Sequence, residues 1–148
     1  MRDSSVVGPL GADAYGEAVT ALVWGAAGTL TDGPLHQKLC AEMAGYFAGD
    51  LKDFTVPLAP RGNAFQQRFY TVLCAIPYGE TRTYGDLAQE LGVSAQAIGQ
   101  ACGANPIAIL IPCHRVLAAQ GLGGYSGEGG IEAKVALLRL EGAAGLLI

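Results

Sequence analysis

At 148 residues the chain is long enough to bury one ordinary core, or two small units sharing one, without covalent staples. A net charge of −4 and a pI near 5.0 exclude a broad polyanion-binding surface, because unspecific nucleic-acid affinity comes from Lys and Arg neutralising phosphates; any such contact has to be local. Mean hydropathy is +0.32, yet no apolar run approaches the roughly 20 residues that span a bilayer and no basic stretch precedes an apolar one, so a soluble, monomeric, cytosolic protein is expected.

Residues 1–17 are small and polar and read as frayed. The apolar run 18–30, broken by Gly25 and Gly28, suits a strand, a turn and a short second strand. Asp32 and Pro34 then open a helix with Leu35, Leu39, Met43 and Phe47 at fourfold spacing, closed by Gly49. Phe54, Val56 and Leu58 alternate on one face of a strand over 52–59, which Pro57 would confine to a sheet edge. The turn at 60–64 shifts the composition and marks a boundary between a reduced N-terminal α/β domain, 1–60, and a C-terminal domain, 61–148.

Beyond the boundary, Phe65, Phe69, Val72, Leu73 and Ile76 form a second helical stripe. Thr83 and Asp86 are spaced as a capping box for a helix carrying Leu87 and Leu91, with Gly92 as its stop. Ser94 is a good N-cap for a second, short helix over 95–104, and helix, glycine-containing turn, short helix is the layout of a helix-turn-helix. That short helix offers Ala95, Ala97, Ile98, Gly99, Ala101 and Gly103, with Gln96 and Gln100 as its polar reachers. So smooth a surface suits close helix packing, which composition by itself favours, or close approach to a narrow minor groove. Asn105-Pro106 marks a turn, 107–111 reads as a buried strand ended by Pro112, and 131–142 reads as a terminal helix with Ile131, Val135 and Leu138 on one face.

Chemistry concentrates at Cys113-His114-Arg115, where the chain bends at the end of that buried run. A free thiol titrates near 8.5 and becomes a nucleophile at neutral pH when a base or positive charge favours the thiolate; His114 and Arg115 are candidates. Neighbours on an extended chain point to opposite faces, so His114 would act on the thiol through a water, with Glu141 on the terminal helix orienting the imidazole. The other cysteines, Cys40, Cys74 and Cys102, have neither CxxC pairing nor zinc spacing and read as reduced, small core residues. His36 reads as a solvated helix residue. A Cys-His hydrolase with an oxyanion hole remains open on these residues alone.

The stretch IPCHRV (111–116), preceded by IPYGETRTYGDLA (76–88) and GQACGANPIAIL (99–110), resembles the O6-alkylguanine-DNA alkyltransferases. The likeness runs from about Asn63 to Gly142, through NAFQQRFYTVL, GGYSG and KVALLRLEG in the family's order. It implies an α+β fold with a winged-helix-like helix-turn-helix domain, and one-use repair in which a flipped O6-alkylguanine in duplex DNA gives its alkyl group to a cysteine without metal or cofactor. Carried onto this chain, Cys113 is the acceptor, His114 the water-mediated base, Glu141 its orienting carboxylate and Asn105 the brace of the turn. The resemblance further implies that Tyr84 assists flipping and proton donation, that Val116 offers its carbonyl to the guanine amino group, and that Tyr125 and Ser126 wall the pocket. Ala95, Gln96, Ala97 and Gly99 would face the minor groove, with Arg115 as a further DNA contact.

Two departures accompany the likeness. Gln96 stands where the family usually inserts an arginine into the base stack, which implies weaker DNA affinity or slower flipping. The N-terminal portion is shorter than the family commonly shows. An alkyltransferase-like protein that binds lesions without transfer would lack the reactive cysteine, whereas Cys113 is present.

Overall fold

The structure, a computed structural model, describes residues 9–25, 28–119 and 130–143. Its α+β fold begins with an antiparallel hairpin of β1 (Leu10–Tyr15) and β2 (Ala18–Trp24), paired Leu10 to Trp24 and Tyr15 to Ala18. Gly16, at φ +62°, makes the two-residue turn whose twist matches the strands. The expectation of a frayed segment up to residue 17 is therefore corrected. Leu10 and Ala12 are buried, and β2 completes a ladder that the small residues of β1 do not announce by propensity.

Helix α1 (Gly33–Phe47) follows an extended Asp32 with Pro34 in its first turn, and buries Leu39, Met43, Tyr46 and Phe47 along one stripe. The segment 52–59 is not a strand. Its one ladder contact is the parallel bridge of Leu58 with Val19, made by Val19 N–H to the Pro57 carbonyl at 2.9 Å and Ala59 N–H to the Val19 carbonyl at 2.8 Å. The amides of Thr55 and Val56 donate instead to the Glu42 carboxylate on α1, at 2.8 and 3.1 Å, so their backbone needs no neighbouring strand.

Helix α2 (Ala64–Cys74) carries a capping box between Asn63 and Gln66 and buries Phe69, Tyr70 and Leu73. A short strand β3 (Arg82–Thr83) leads into α3 (Tyr84–Leu91), which is capped as expected by Thr83 and Asp86 and stopped by Gly92 at φ +71°. Ser94 Oγ accepts the Ala97 amide at 3.1 Å to start α4 (Ala95–Gly103), completing the helix-turn-helix. Strand β4 (Val116–Leu117) runs parallel to β3, and α5 (Gly130–Glu141) closes the described chain. The buried apolar residues form one cluster that crosses the expected boundary at residue 60, from Leu10 on β1 to Leu137 on α5.

The run 107–111 is buried, but it is a compact turn and not a strand. Asn105 Oδ1 accepts the Ile107 amide at 3.0 Å, Asn105 Nδ2 donates to the Ile111 carbonyl at 2.8 Å, and the Ile111 amide returns to the Ile107 carbonyl at 2.9 Å. These bonds take the place of a ladder, and they hold Ile109 at φ +75°, where a β-branched residue stores about 1–3 kcal/mol of strain. On α5 the buried face is Ala133, Lys134, Leu137, Leu138 and Glu141, while Ile131 is exposed and Val135 half-buried. The expected stripe of Ile131, Val135 and Leu138 was one step out of phase, because the inward face carries charged side chains that an apolar stripe cannot register. Cys74 is exposed rather than a core residue. His36 is half-buried, with its Nε2 3.4 Å from Cys40 Sγ one helical turn on.

Candidate active site

Everything that fixes the reactive turn sits behind it. Pro112 ends the compact turn, the Cys113 amide donates to the Ile111 carbonyl at 2.8 Å and the Arg115 amide to the Pro112 carbonyl at 3.0 Å, so Cys113–Arg115 is a single 3₁₀ turn. That turn puts Cys113, His114 and Arg115 on different sides, all buried. From α5, the Glu141 carboxylate reaches into the interior and gathers the polar groups around it. Its Oε2 lies 2.7 Å from His114 Nε2 and 3.0 Å from Arg115 Nη2, and its Oε1 is 2.8 Å from Arg115 Nε. Tyr46 of α1 donates its hydroxyl to the same Oε2 at 2.6 Å, and the Gly79 amide approaches Oε1 at 3.4 Å.

Burial alone would raise the Glu141 pKa, but the hydrogen bonds from His114, Arg115 and Tyr46 outweigh it and hold the group near 2. An ionised carboxylate only accepts, so His114 Nε2 must carry a proton. Burial keeps the imidazole below its ordinary pKa and hence neutral, with Arg115 and Lys134 adding to that and Glu141 opposing it. The neutral ring then presents Nδ1 as a bare acceptor, and Nδ1 is buried with no hydrogen-bond partner among the described residues. This is the tautomer a base serving Cys113 requires.

Cys113 itself rests as the thiol. Burial pushes its pKa up, against the Asn105 side chain, the Lys134 charge and its own backbone amide. The expectation that Arg115 would favour the thiolate, or touch DNA, is corrected: the guanidinium is buried, bound to Glu141 and, through Nη1, to the Ile76 carbonyl at 2.7 Å. It neutralises the carboxylate, which would otherwise be a lone buried charge.

Sequence reading missed two residues here. Lys134 on α5 is fully buried and donates to the Val116 carbonyl at 2.6 Å, with its Nζ 5.7 Å from the centre of the Tyr84 ring. The Val116 carbonyl expected to meet a ligand is therefore already engaged on one lone pair. A lysine sharing the 134, 137, 138, 141 helical face with two leucines was the available signal. Tyr46 gave none beyond its place on an apolar stripe. Tyr84 is half-buried at the start of α3 and the Asn105 side chain bonds the Ile107 amide and the Ile111 carbonyl, whereas Tyr125 and Ser126 fall outside the described residues.

On α4, Ile98 and Ala101 face inward, Ala97 is half-buried, and Ala95, Gln96, Gly99 and Gln100 are exposed. A β-carbon built on Gly99 would meet nothing within 4 Å. Packing therefore accounts for Ile98 and Ala101, while the face around Gly99 stays open among the described residues.

The described fold combines a helix-turn-helix that carries an open, small-residue face with a buried cysteine and a His–Glu pair, the layout of a helix-turn-helix domain with a candidate cysteine site. Residues 64–143 match the family model for the 6-O-methylguanine DNA methyltransferase, DNA binding domain, and the chain belongs to that family. It is 40% identical over 147 residues to a methylated-DNA--protein-cysteine methyltransferase of Mycobacterium leprae, covering 93% of this chain and 88% of the relative. A Mycobacterium tuberculosis protein of the same name is 53% identical over 103 residues, 68% of this chain; the match spans only 61% of that relative's length. The crystal structure of Mycobacterium tuberculosis OGT in complex with DNA superposes with a TM-score of 0.84 at 42% identity, over 97% of this chain and 91% of that one. Among the described residues no helix is long and apolar enough to cross a membrane.

Proposed function

We propose that the protein repairs duplex DNA by moving an alkyl group from O6 of a flipped guanine to Cys113, irreversibly and once per molecule. The observation that carries the reading is the His114–Glu141 pair next in the chain to a buried Cys113 thiol, with Nδ1 of a neutral imidazole left without a partner among the described residues. In the reaction the thiol proton passes through a water to Nδ1, and the sulfur attacks the alkyl carbon. The carbon–O6 bond breaks, its electron pair stays on the guanine, and a proton returns to the base with help from the Tyr84 hydroxyl. The products are a thioether and ordinary guanine, so no metal or cofactor is required.

The resting thiol fits a suicide acceptor. Burial disfavours a free thiolate that other electrophiles would consume, and ionisation is coupled to the arrival of a base that needs a proton. Chemistry on a stacked base requires extrusion at a cost of a few kcal/mol, least for a damaged pair. We assign the approach to DNA to Ala95, Gln96, Ala97 and Gly99, and contact with the flipped guanine to the Val116 carbonyl, Tyr125 and Ser126. The protein would act as a monomer in the cytosol.

Incubation with an O6-methylguanine duplex followed by intact-mass measurement tests the proposal. The expected result is one added methyl on Cys113, absent from Cys113→Ala. Binding without a mass change would favour a lesion-recognition protein, and repeated DNA-independent hydrolysis a Cys-His hydrolase; either result overturns the reading.

A further inference from the structure

We propose that Tyr46, on α1 of the N-terminal segment, is a positioning residue of the acceptor site: its hydroxyl fixes the Glu141 oxygen that receives the His114 Nε2 proton. The inference rests on the proposed alkyl-transfer reading and gives the N-terminal helix a part in it. Three observations carry it. The Tyr46 hydroxyl is 2.6 Å from Glu141 Oε2, and His114 Nε2 is 2.7 Å from that same atom. Tyr46 is fully buried, so no water competes for its proton. Its ring is locked by Phe54 and Tyr78, with centroids at 5.2 and 6.1 Å, so the hydroxyl is aimed by packing and not by the hydrogen bond itself.

Chemistry gives this contact a direction. Every donor on Oε2 draws off part of its charge, and the less charge that remains, the less the oxygen favours a second proton on His114. Tyr46 stays a donor throughout, since burial and the neighbouring Glu141 hold its own ionisation far above the ordinary range. Among the described residues, the titratable and charged groups facing this pair come from several elements and act in both directions. Cys113 and Arg115 share the turn with His114, Lys134 projects from α5, Tyr78 lies between α2 and β3, and Tyr46 comes from α1. Tyr46 is the neutral donor among them whose removal leaves every formal charge in place.

The test is the pH profile of Cys113 benzylation by free O6-benzylguanine, read by intact mass for the full chain and for Tyr46→Phe, which keeps the ring. Without the hydroxyl, Oε2 holds the imidazolium more strongly, so neutral His114 appears only at higher pH. The acidic limb is expected to move up by about half to one pH unit, a roughly threefold to tenfold loss at the acid end, with rates converging above it. Installing 3-fluorotyrosine at position 46, a stronger donor on the same ring, is expected to move the limb the other way. Superimposable profiles, or a uniform loss at every pH, would overturn the inference. Ring ¹⁵N shifts of His114 provide a readout free of turnover: a pKa that rises in Tyr46→Phe supports the inference and an unchanged one sinks it. If the wild-type chain takes neither a benzyl group from the free base nor a methyl group from an O6-methylguanine duplex, the alkyl-transfer reading fails, while the ¹⁵N titration still decides the role of Tyr46.

Discussion

Acid should dismantle the buried network by protonating Glu141, and the size of that effect follows from its surroundings. The carboxyl titrates near 2 in the folded chain against an ordinary 4.5. That difference of two and a half pH units corresponds to about 3–4 kcal/mol at roughly 1.4 kcal/mol per unit. Because the folded pKa is depressed, the contribution is complete above about 4.5 and drains away as pH falls from there towards 2. Glu141→Gln keeps the shape and removes the charge, leaving buried Arg115 without its counter-ion, so it should cost a similar ~3 kcal/mol at neutral pH. Urea unfolding of both proteins from pH 7 to pH 2.5 measures it. The two stabilities should lie furthest apart at neutral pH and converge below 4.5, since the variant has no carboxylate there to lose. A variant within ~1 kcal/mol of wild type at pH 7, or parallel curves through the acid range, would refute the claim that Arg115, His114 and Tyr46 stabilise the ionised form.

Asn105→Ala leaves the Ile107 amide and the Ile111 carbonyl without their side-chain partner inside the protein, so a loss of about 2–4 kcal/mol is expected by chemical denaturation. With the turn that carries Ile109 and Cys113 unbraced, benzylation of Cys113 should slow even where the variant remains folded. Lys134→Met removes the bond to the Val116 carbonyl and the cation that opposes burial at Cys113; the thiol should ionise with more difficulty, and the rate at pH 7 should fall further than at pH 9 in a stopped-time mass assay. Gln96→Arg restores a cation with a broad stacking plane on the exposed face of α4, and is expected to speed transfer from duplex DNA several-fold while leaving the reaction with free O6-benzylguanine unchanged; an unaltered duplex rate would count against a flipping role for this position.

The candidate site was largely legible in the chain because it draws on rare residue types at short spacing. Cys113, His114, Asn105 and Glu141 could be singled out, and capping residues such as Thr83, Asp86 and Ser94 set α3 and α4 where local hydrogen bonds require them. Signals that act within a turn or two survive in sequence, since both partners lie a few positions apart. Misreadings fell where a partner outside the segment takes over its backbone hydrogen bonds. Residues 107–111 look like a strand by apolarity, but the Asn105 side chain satisfies their backbone and bends them. Residues 52–59 alternate like a strand, but Glu42 claims their amides. Residues 10–15 look too small and polar for a strand, yet β2 supplies a complete ladder for them.

Arg115 marks the division most clearly. Sequence places a cation beside Cys113 and invites it to activate the thiol or to meet phosphate; only packing decides that it turns inward to Glu141, 26 positions away. The same holds for Tyr46, which meets that carboxylate across 95 positions, and for Lys134, which an apolar helix face conceals. Residue order alone singled out Cys113, His114 and the helix-turn-helix, because these rest on residue chemistry and short-range geometry. The tertiary structure decided which charges are buried together and which tautomer the histidine must hold, because a buried charge is stable only beside its partners, and those converge only when the chain has folded.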